Sequence, residues 1–139
     1  MKIKIKKLNS NVILPTYAHE GDAGMDLYSL EDYTLKPGER KIFYLGFALE
    51  FPKDYVALVK DKSSLSLHGV HTMGGVFDAS YRGEYNVLLI NYDQMPYEIK
   101  KGHKIAQLVI LPIGIAELEE VDTLTSTPRG DGNFGSTGK

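Results

Sequence analysis

Short apolar segments separated by turn residues run along most of this sequence, and they leave little room for helices. Four segments are rich in Val, Ile, Leu, Phe and Tyr, namely residues 41–51, 55–60, 84–92 and 104–112. Such residues favour strands, and Gly, Pro and Asp between them favour turns. Apolar residues at helical spacing are not sustained anywhere, so we predict one short helix that starts at Ser63 and Ser64 and ends at Gly69. The chain is therefore predicted to be all-β, a barrel or sandwich of short strands.

The N-terminus fits the same architecture. Ile3 and Ile5 alternate with lysines over residues 1–6. This period of two is typical of a half-exposed strand with a charged outer face. No apolar signal region follows these lysines, and no apolar run approaches the roughly 18 residues that span a bilayer. We therefore expect a cytoplasmic protein that is not attached to a membrane.

Composition excludes several classes of function. A chain of 139 residues fits one domain. The absence of cysteine excludes disulfide frameworks, thiol nucleophiles and thiolate metal sites. A net charge of −2 argues against binding to nucleic acid by bulk electrostatics, so no nucleic-acid partner is expected. None of the four His residues has metal-ligand spacing, and His68 and His71 are predicted to lie in a loop.

The character of the sequence changes after Pro112. An acidic stretch is followed by a tail of Thr, Ser, Gly, Pro and Asn, which cannot build a core of its own. We expect a folded unit over residues 1–122 and an arm over residues 123–139. A frayed terminus is the simpler reading, but the glycines could form an anion-binding nest, Arg129 suits phosphate, and Phe134 offers a flat face to a base. Ten extended residues reach roughly 33 Å, enough to cross to a neighbouring subunit.

Two further segments contain candidate functional residues. Ser63 and Ser64 could cap the predicted helix, or they could hold phosphate together with Lys62, and both roles are compatible. Asp78 follows two apolar residues and precedes a turn, so it either forms that turn or acts as a general base toward water. Tyr81 could pack on a sugar or be an ordinary surface residue of a strand.

Asp26 and Gln107 are polar residues within apolar surroundings. Asp26 could form a turn or contact the hydration shell of a magnesium ion, which usually keeps several waters. Gln107 lies within an apolar strand segment. If its side chain points inward, it must find partners among protein groups or on a ligand.

Five segments in this order and spacing resemble the trimeric dUTP pyrophosphatase (dUTPase) family, over residues 13–138. The segments are residues 23–28, 62–65, 75–83, 102–108 and 129–138. The resemblance implies a dUTPase-like jelly-roll β-barrel that forms a homotrimer, with a flexible C-terminal arm that closes sites shared between subunits. It also implies hydrolysis of dUTP to dUMP and pyrophosphate with Mg²⁺ as cofactor.

The resemblance also implies a role for each site residue. Asp78 would be catalytic, activating water for attack at the α-phosphorus, and Asp26 would lie near the water shell of Mg²⁺. Tyr81 would pack under the deoxyribose, Phe134 would cover the uracil, and the other residues would hold phosphate or the base. The substrate-binding residues would be Lys62, Ser63, Ser64, Gly75, Tyr81, Gln107, Arg129, Phe134, Gly135, Ser136 and Thr137.

Two alternatives share this scaffold. Deoxycytidine triphosphate deaminases carry similar motifs, but they need a catalytic Glu on the strand after the hairpin, where this chain has the apolar residues 87–90. A non-catalytic nucleotide-binding module is the second alternative. The joint presence of Asp78, Tyr81 and an intact arm argues against it.

Overall fold

The computed structural model describes residues 1–133, which form eleven β-strands and one short helix. The helix, α1, is Ser63–Ser66. The strands are β1 (Lys4–Lys7), β2 (Gly24–Tyr28), β3 (Tyr33–Leu35), β4 (Arg40–Tyr44), β5 (Phe47–Glu50), β6 (Tyr55–Lys60), β7 (Val70–Met73), β8 (Val76–Asp78), β9 (Asn86–Asn91), β10 (Tyr97–Ile99) and β11 (Lys104–Pro112). The prediction of an all-β chain with a single short helix near Ser63 is confirmed within these residues.

The boundaries of the long strands agree closely with the sequence, with one informative exception. The predicted segment 41–51 is divided into β4 and β5 at Gly46, whose φ is +71°. A Cβ atom there would lie 2.6 Å from Cγ2 of Val12. Position 46 therefore needs glycine both for its backbone conformation and for the space that Val12 occupies.

The strands pair antiparallel in four sheets. The largest has the order β2-β11-β6-β8, the next has the order β4-β9-β7, and two pairs are β1-β5 and β3-β10. β11 is the longest strand, and it pairs with β2 on one side and β6 on the other. Because of this register, Gln107 on β11 lies opposite Asp26 on β2 and Lys60 on β6. Together with the contact between Lys62 and Asp26, this pairing places three of the five family segments beside one another, namely residues 23–28, 62–65 and 102–108.

One cluster of apolar side chains forms the core. It draws on most of the strands, with Leu27, Phe43, Val87 and Leu108 fully buried. Full burial of such a side chain contributes about 1.5–3 kcal/mol relative to exposure. No helix within residues 1–133 has the length and apolarity needed to cross a bilayer.

The chain leaves the sheets after β11. Ile113 still donates its N–H to the carbonyl of Asp54 at 2.9 Å. Residues 114–133 contain no strand or helix, only turns and bends, and they are almost entirely exposed. Leu118, for example, is 94% exposed. This part of the chain contributes nothing to the core, as its composition predicted.

Candidate active site

The Asp26 pocket contains a buried carboxylate between two ammonium groups. Asp26 lies on β2 and is only 5% exposed. Its Oδ1 accepts a hydrogen bond from Lys62 Nζ at 2.9 Å, and its Oδ2 lies 2.6 Å from Lys104 Nζ in an ion pair. The cavity beside it has a volume of about 300 Å³, and its walls also include His19, Asp22, Gly24 and Gln107.

The two lysines determine the charge of this pocket. Burial by itself raises the pKa of Asp26, but the opposing contacts from Lys104 and Lys62 hold this pKa below its usual value. The carboxylate is therefore ionised at neutral pH, and the three groups together carry one net positive charge. The Asp22 carboxylate in the wall offsets this charge, so it is the two ammonium groups themselves that can contact an anion such as phosphate.

Direct binding of a divalent cation by Asp26 does not fit this arrangement. Each carboxylate oxygen already faces an ammonium group. No cluster of three or more His or acidic side chains suited to a metal occurs in the part of the chain that the structure describes. A magnesium ion at this pocket would therefore need most of its ligands from water or from a bound molecule, and not from the protein.

Substituting Asp26 should weaken folding in a way that depends on pH. Because Lys62 and Lys104 remain 29% and 40% exposed, we expect Asp26→Asn to cost about 1–2 kcal/mol at pH 7, less than for a fully buried pair. A carboxyl whose pKa is lowered by folding stabilises above its usual value of 3.8, and this stabilisation is lost as pH falls below it. Urea denaturation at fixed protein concentration should show the difference from wild type shrinking below about pH 4. A difference that persists unchanged at pH 2.5 would contradict this role.

Gln107 is held on both sides within the same cavity. Its Nε2 donates to the main-chain carbonyl of Asp61 at 2.8 Å. On the other side, a Cβ atom at Gly24 would lie 2.4 Å from Gln107 Oε1, so the amide fills the space that glycine leaves. The sequence predicted that an inward-pointing Gln107 needs partners, and its protein partner is this carbonyl.

Ser63 and Ser64 do not cap the helix. The N-cap residue of α1 is Lys62, and no side chain forms a capping hydrogen bond there. Ser63 and Ser64 occupy the first helical positions and are exposed. Their hydroxyl groups thus lie at the surface beside Lys62, where a ligand can reach them.

Asp78 lies in a different cavity. It ends β8, opposite Val56 of β6, and is exposed. Its carbonyl accepts the N–H of Tyr81 at 3.0 Å, which closes the turn that follows β8. The cavity beside Asp78 measures about 270 Å³ and is lined by Tyr55, Ser80 and Ile113 among others. Both alternatives for Asp78 are therefore compatible: its backbone forms the turn, and its carboxylate is free to act on a ligand.

An aromatic cluster packs around the turn that follows Asp78. The ring of Phe77 stacks on that of Tyr85 at 4.2 Å, and Tyr81 lies 5.6 Å from Phe77. The Tyr81 hydroxyl donates to the carbonyl of Glu84 at 3.1 Å, and the space over Gly83 is filled by this ring. Tyr85 is fully buried, and burial raises its pKa to about 12. Tyr81 remains 39% exposed, so one face of it can pack against a ligand.

The Asp26 pocket and the Asp78 cavity lie far apart within one chain. Asp78 is opposite Val56 near the start of β6, whereas Lys62 follows the end of that strand. Lys62 lies six positions after Val56, and β6 ends at Lys60, so the two residues are up to about 20 Å apart at 3.3 Å per residue. A general base must reach its substrate directly or through one water, so these two regions of one chain do not act on adjacent atoms of a small ligand.

The remaining site predictions concern the arm. Arg129 is exposed, and its Nε donates to the carbonyl of Gly132 at 3.1 Å. Phe134, Gly135, Ser136 and Thr137 lie outside the described residues. Gly75 has a φ of +90° and packs against the carbonyl of Val59, where a Cβ atom would lie only 2.9 Å away.

Sequence reasoning missed Lys104 as a member of the Asp26 pocket. It lies opposite Tyr28 at the start of β11, and nothing in its local sequence distinguishes it from a solvated lysine. The prediction that His71 lies in a loop was wrong, because His71 belongs to β7. Both residues gain their contacts from strand pairing, which a local pattern does not specify.

The fold is all-β, and the Asp26 pocket brings two lysines to one buried carboxylate. The family model for dUTPase matches residues 10–138. Because this match covers nearly the whole chain, the protein belongs to the dUTPase family.

Relatives and solved structures agree with this assignment. The deoxyuridine 5'-triphosphate nucleotidohydrolase of Clostridium novyi is 46% identical, over 99% of each chain. That of Nautilia profundicola is 47% identical over the full length of both. The dUTPase of Staphylococcus bacteriophage 80alpha, solved with dUpNHpp, is 29% identical with a TM-score of 0.93 over 99% of each chain. A dUTPase mutant from phage phi11, whose structure describes a structural Mg(II) ion, has a TM-score of 0.83 at 27% identity, over 91% of this chain and 100% of that one.

Proposed function

We propose that the protein hydrolyses dUTP to dUMP and pyrophosphate. The observation that carries this proposal is the presence, on one chain of this family, of both halves of such a site: the Asp26 pocket with its two lysines and the exposed carboxylate of Asp78. Full-length relatives that are named deoxyuridine 5'-triphosphate nucleotidohydrolases support the choice of substrate.

Asp78 acts as the general base of the reaction. Its carboxylate takes a proton from a water molecule as the water oxygen forms a bond to the α-phosphorus. The bond from that phosphorus to the bridging oxygen breaks, and pyrophosphate leaves with the electron pair. Such a reaction needs mainly positioning and charge neutralisation, and a general base adds about 10²- to 10⁴-fold.

The triphosphate binds beside the Asp26 pocket. Lys62 supplies positive charge, the hydroxyls of Ser63 and Ser64 donate to phosphate oxygens, and the Gln107 amide contributes a further polar contact. A Mg²⁺ ion would be held mainly by the triphosphate oxygens, and Asp26 would lie toward its water shell. The ion supplies additional charge neutralisation to the phosphates when it is bound. In this arrangement the protein holds a metal–nucleotide complex rather than a free metal.

Residues 75–83 and the arm recognise the nucleoside and close the site. The exposed face of Tyr81 packs under the deoxyribose, leaving no room for a ribose 2′-hydroxyl, and main-chain groups beside Gly75 read the uracil. The arm, residues 123–139, folds over the nucleotide. Arg129, Ser136 and Thr137 contact the terminal phosphates, Gly135 allows close approach, and Phe134 covers the base.

The protein acts as a homotrimer in this proposal. Asp78 lies opposite the start of β6 and Lys62 follows its end, up to about 20 Å away on one chain, so a complete site takes Asp78 from one subunit and the Asp26 pocket from another. The arm then comes from a neighbouring subunit. The relatives are bacterial proteins, and we infer that this protein acts in the cytoplasm.

A substrate panel tests the proposed reaction. We expect pyrophosphate release from dUTP with Mg²⁺, little release from dTTP or UTP, and no ammonia from dCTP. Chelation of Mg²⁺ should lower the rate. Ammonia release from dCTP would favour the deaminase alternative, although β9 offers only Asn, Val, Leu and Ile where a catalytic Glu is required. Nucleotide binding without turnover of any substrate would favour a non-catalytic module.

A further inference from the structure

Asp61 connects the Asp26 pocket to a neighbouring sheet. It follows β6 directly and precedes Lys62. Its Oδ1 accepts hydrogen bonds from both the main-chain N–H and the hydroxyl of Thr72, each at 2.6 Å. Its Oδ2 lies 2.8 Å from Nδ1 of His71. These contacts tie the end of β6 to β7, which belongs to the three-stranded sheet.

The Asp61 carboxylate is built to stay ionised. Burial raises its pKa, but the hydroxyl and the N–H of Thr72, together with His71, outweigh this effect and lower it. Hydrogen bonds to a charged acceptor are about twice as strong as neutral ones. The three bonds therefore restrict rotation of Asp61 more firmly than a neutral side chain could.

The main-chain carbonyl of Asp61 also holds Gln107, a proposed substrate-binding residue. The carbonyl of Asp61 accepts the Gln107 Nε2 hydrogen bond at 2.8 Å, while Gly24 leaves no spare room on the other side of the amide. The orientation of the Asp61 peptide therefore fixes the orientation of the Gln107 side chain. The residue also leads directly into Lys62 and the two exposed serines.

We propose that Asp61 is a positioning residue that, through its bonds to Thr72 and His71, orients Gln107 and Lys62 toward the nucleotide phosphates. This rests on the proposed function, in which those two residues contact the triphosphate. Asp61 touches neither the substrate nor Asp78. Its loss should therefore weaken nucleotide binding far more than it slows the chemical step.

Steady-state kinetics with dUTP and calorimetric binding of dUpNHpp test this role. We expect Asp61→Ala to raise KM and the dissociation constant about tenfold while kcat falls less than about threefold. Asp61→Asn keeps an acceptor for Thr72 and should restore KM to within about threefold of wild type. Thr72→Val, which removes only the hydroxyl donor, should raise KM about two- to threefold.

Glu39→Ala is the matched control. The Glu39 carboxylate also accepts one hydroxyl and one main-chain N–H, from Tyr33 and Lys36, but it does not line the Asp26 pocket. The Glu39→Ala substitution should lower the melting temperature and leave the KM for dUTP unchanged. The proposal is overturned if Asp61→Ala behaves like this control. If Asp61→Ala does not fold, unchanged KM in Thr72→Val overturns the proposal and a raised KM supports it.

A failure of the proposed function would give a different result from a failure of the positioning role. A wild-type protein that does not hydrolyse dUTP would refute that function, whatever the Asp61 variants do. An active wild type with unaffected Asp61→Ala and Thr72→Val variants would refute only the positioning role. The two hypotheses are thus separated by the same set of measurements.

Discussion

Asp78→Asn should reduce dUTP turnover by about 10²- to 10⁴-fold while leaving nucleotide binding nearly unchanged. The carboxylate is exposed at the end of β8, and the turn there is made by its main-chain carbonyl, which asparagine retains. The amide has the same size but does not accept a proton from water at neutral pH. Pyrophosphate release under saturating dUTP measures the loss, and calorimetry with dUpNHpp measures binding.

Asp54→Asn is the control for that change. Asp54 is an exposed aspartate close to the strand that pairs with β8, and the substitution is chemically identical. Its turnover should remain within about twofold of wild type. Near-normal turnover of Asp78→Asn would remove Asp78 from the mechanism. Loss of dUpNHpp binding would indicate that the carboxylate holds the nucleotide instead.

Mixed subunits extend the Asp78 measurement to the shared site. Asp78→Asn subunits combined with Gln107→Ala subunits should recover activity after unfolding and refolding together. In a mixed trimer, the Asp78→Asn subunit still provides an intact Gln107, and the Gln107→Ala subunit still provides an intact Asp78. One shared site can therefore contain both residues. Activity no greater than that of the separate variants would mean that both residues act within a single chain.

Truncation after Pro128 should leave a folded protein of unchanged oligomeric state whose dUTP hydrolysis falls by at least about 10²-fold. The strands end at Pro112, and residues 114–133 are almost entirely exposed, so among residues 129–133 the deletion removes no core contact. It removes Arg129 and the Gly-rich segment that we propose to cover the nucleotide. Without this cover, water competes for the phosphates and the closed site does not form.

Deletion of Lys139 alone provides the matched control, because it shortens the chain without removing any proposed contact. Light scattering and thermal melting should give equal results for both truncations and the full chain. The rate of dUTP hydrolysis should fall only in the truncation after Pro128, and not in the Lys139 deletion. A Pro128 truncation that retains the wild-type kcat/KM would exclude the arm from the mechanism.

The sequence predicted the architecture well where strands are long. Residues 55–60 and 104–112 are strands over the predicted bounds, because long runs of β-branched and aromatic residues specify extended chain locally. Five short strands, such as β3 and β8, escaped prediction because three to five residues are too few for a pattern to develop. Their formation depends on the strand beside them.

The candidate site was likewise predicted only in part from the sequence. Asp26, Lys62, Asp78 and Gln107 were identified from the sequence because residue type and order in the motifs carry that information. The helix-capping role that the sequence allowed for Ser63 and Ser64 was wrong, because the N-cap residue is Lys62 and no side chain caps the helix. The roles of the last residues of the arm stay predictions.

The sequence by itself determined the residue types of the site, the all-β class and the point where the core ends, since composition and local pattern suffice for these. Tertiary structure alone decided which of these residues meet. The register of β2, β11 and β6 places Asp26, Gln107 and Lys62 around one cavity with Lys104 beside Asp26, and it places Asp78 near the other end of β6. Strand pairing joins residues that are distant in the chain, and its register depends on the packing of the whole fold.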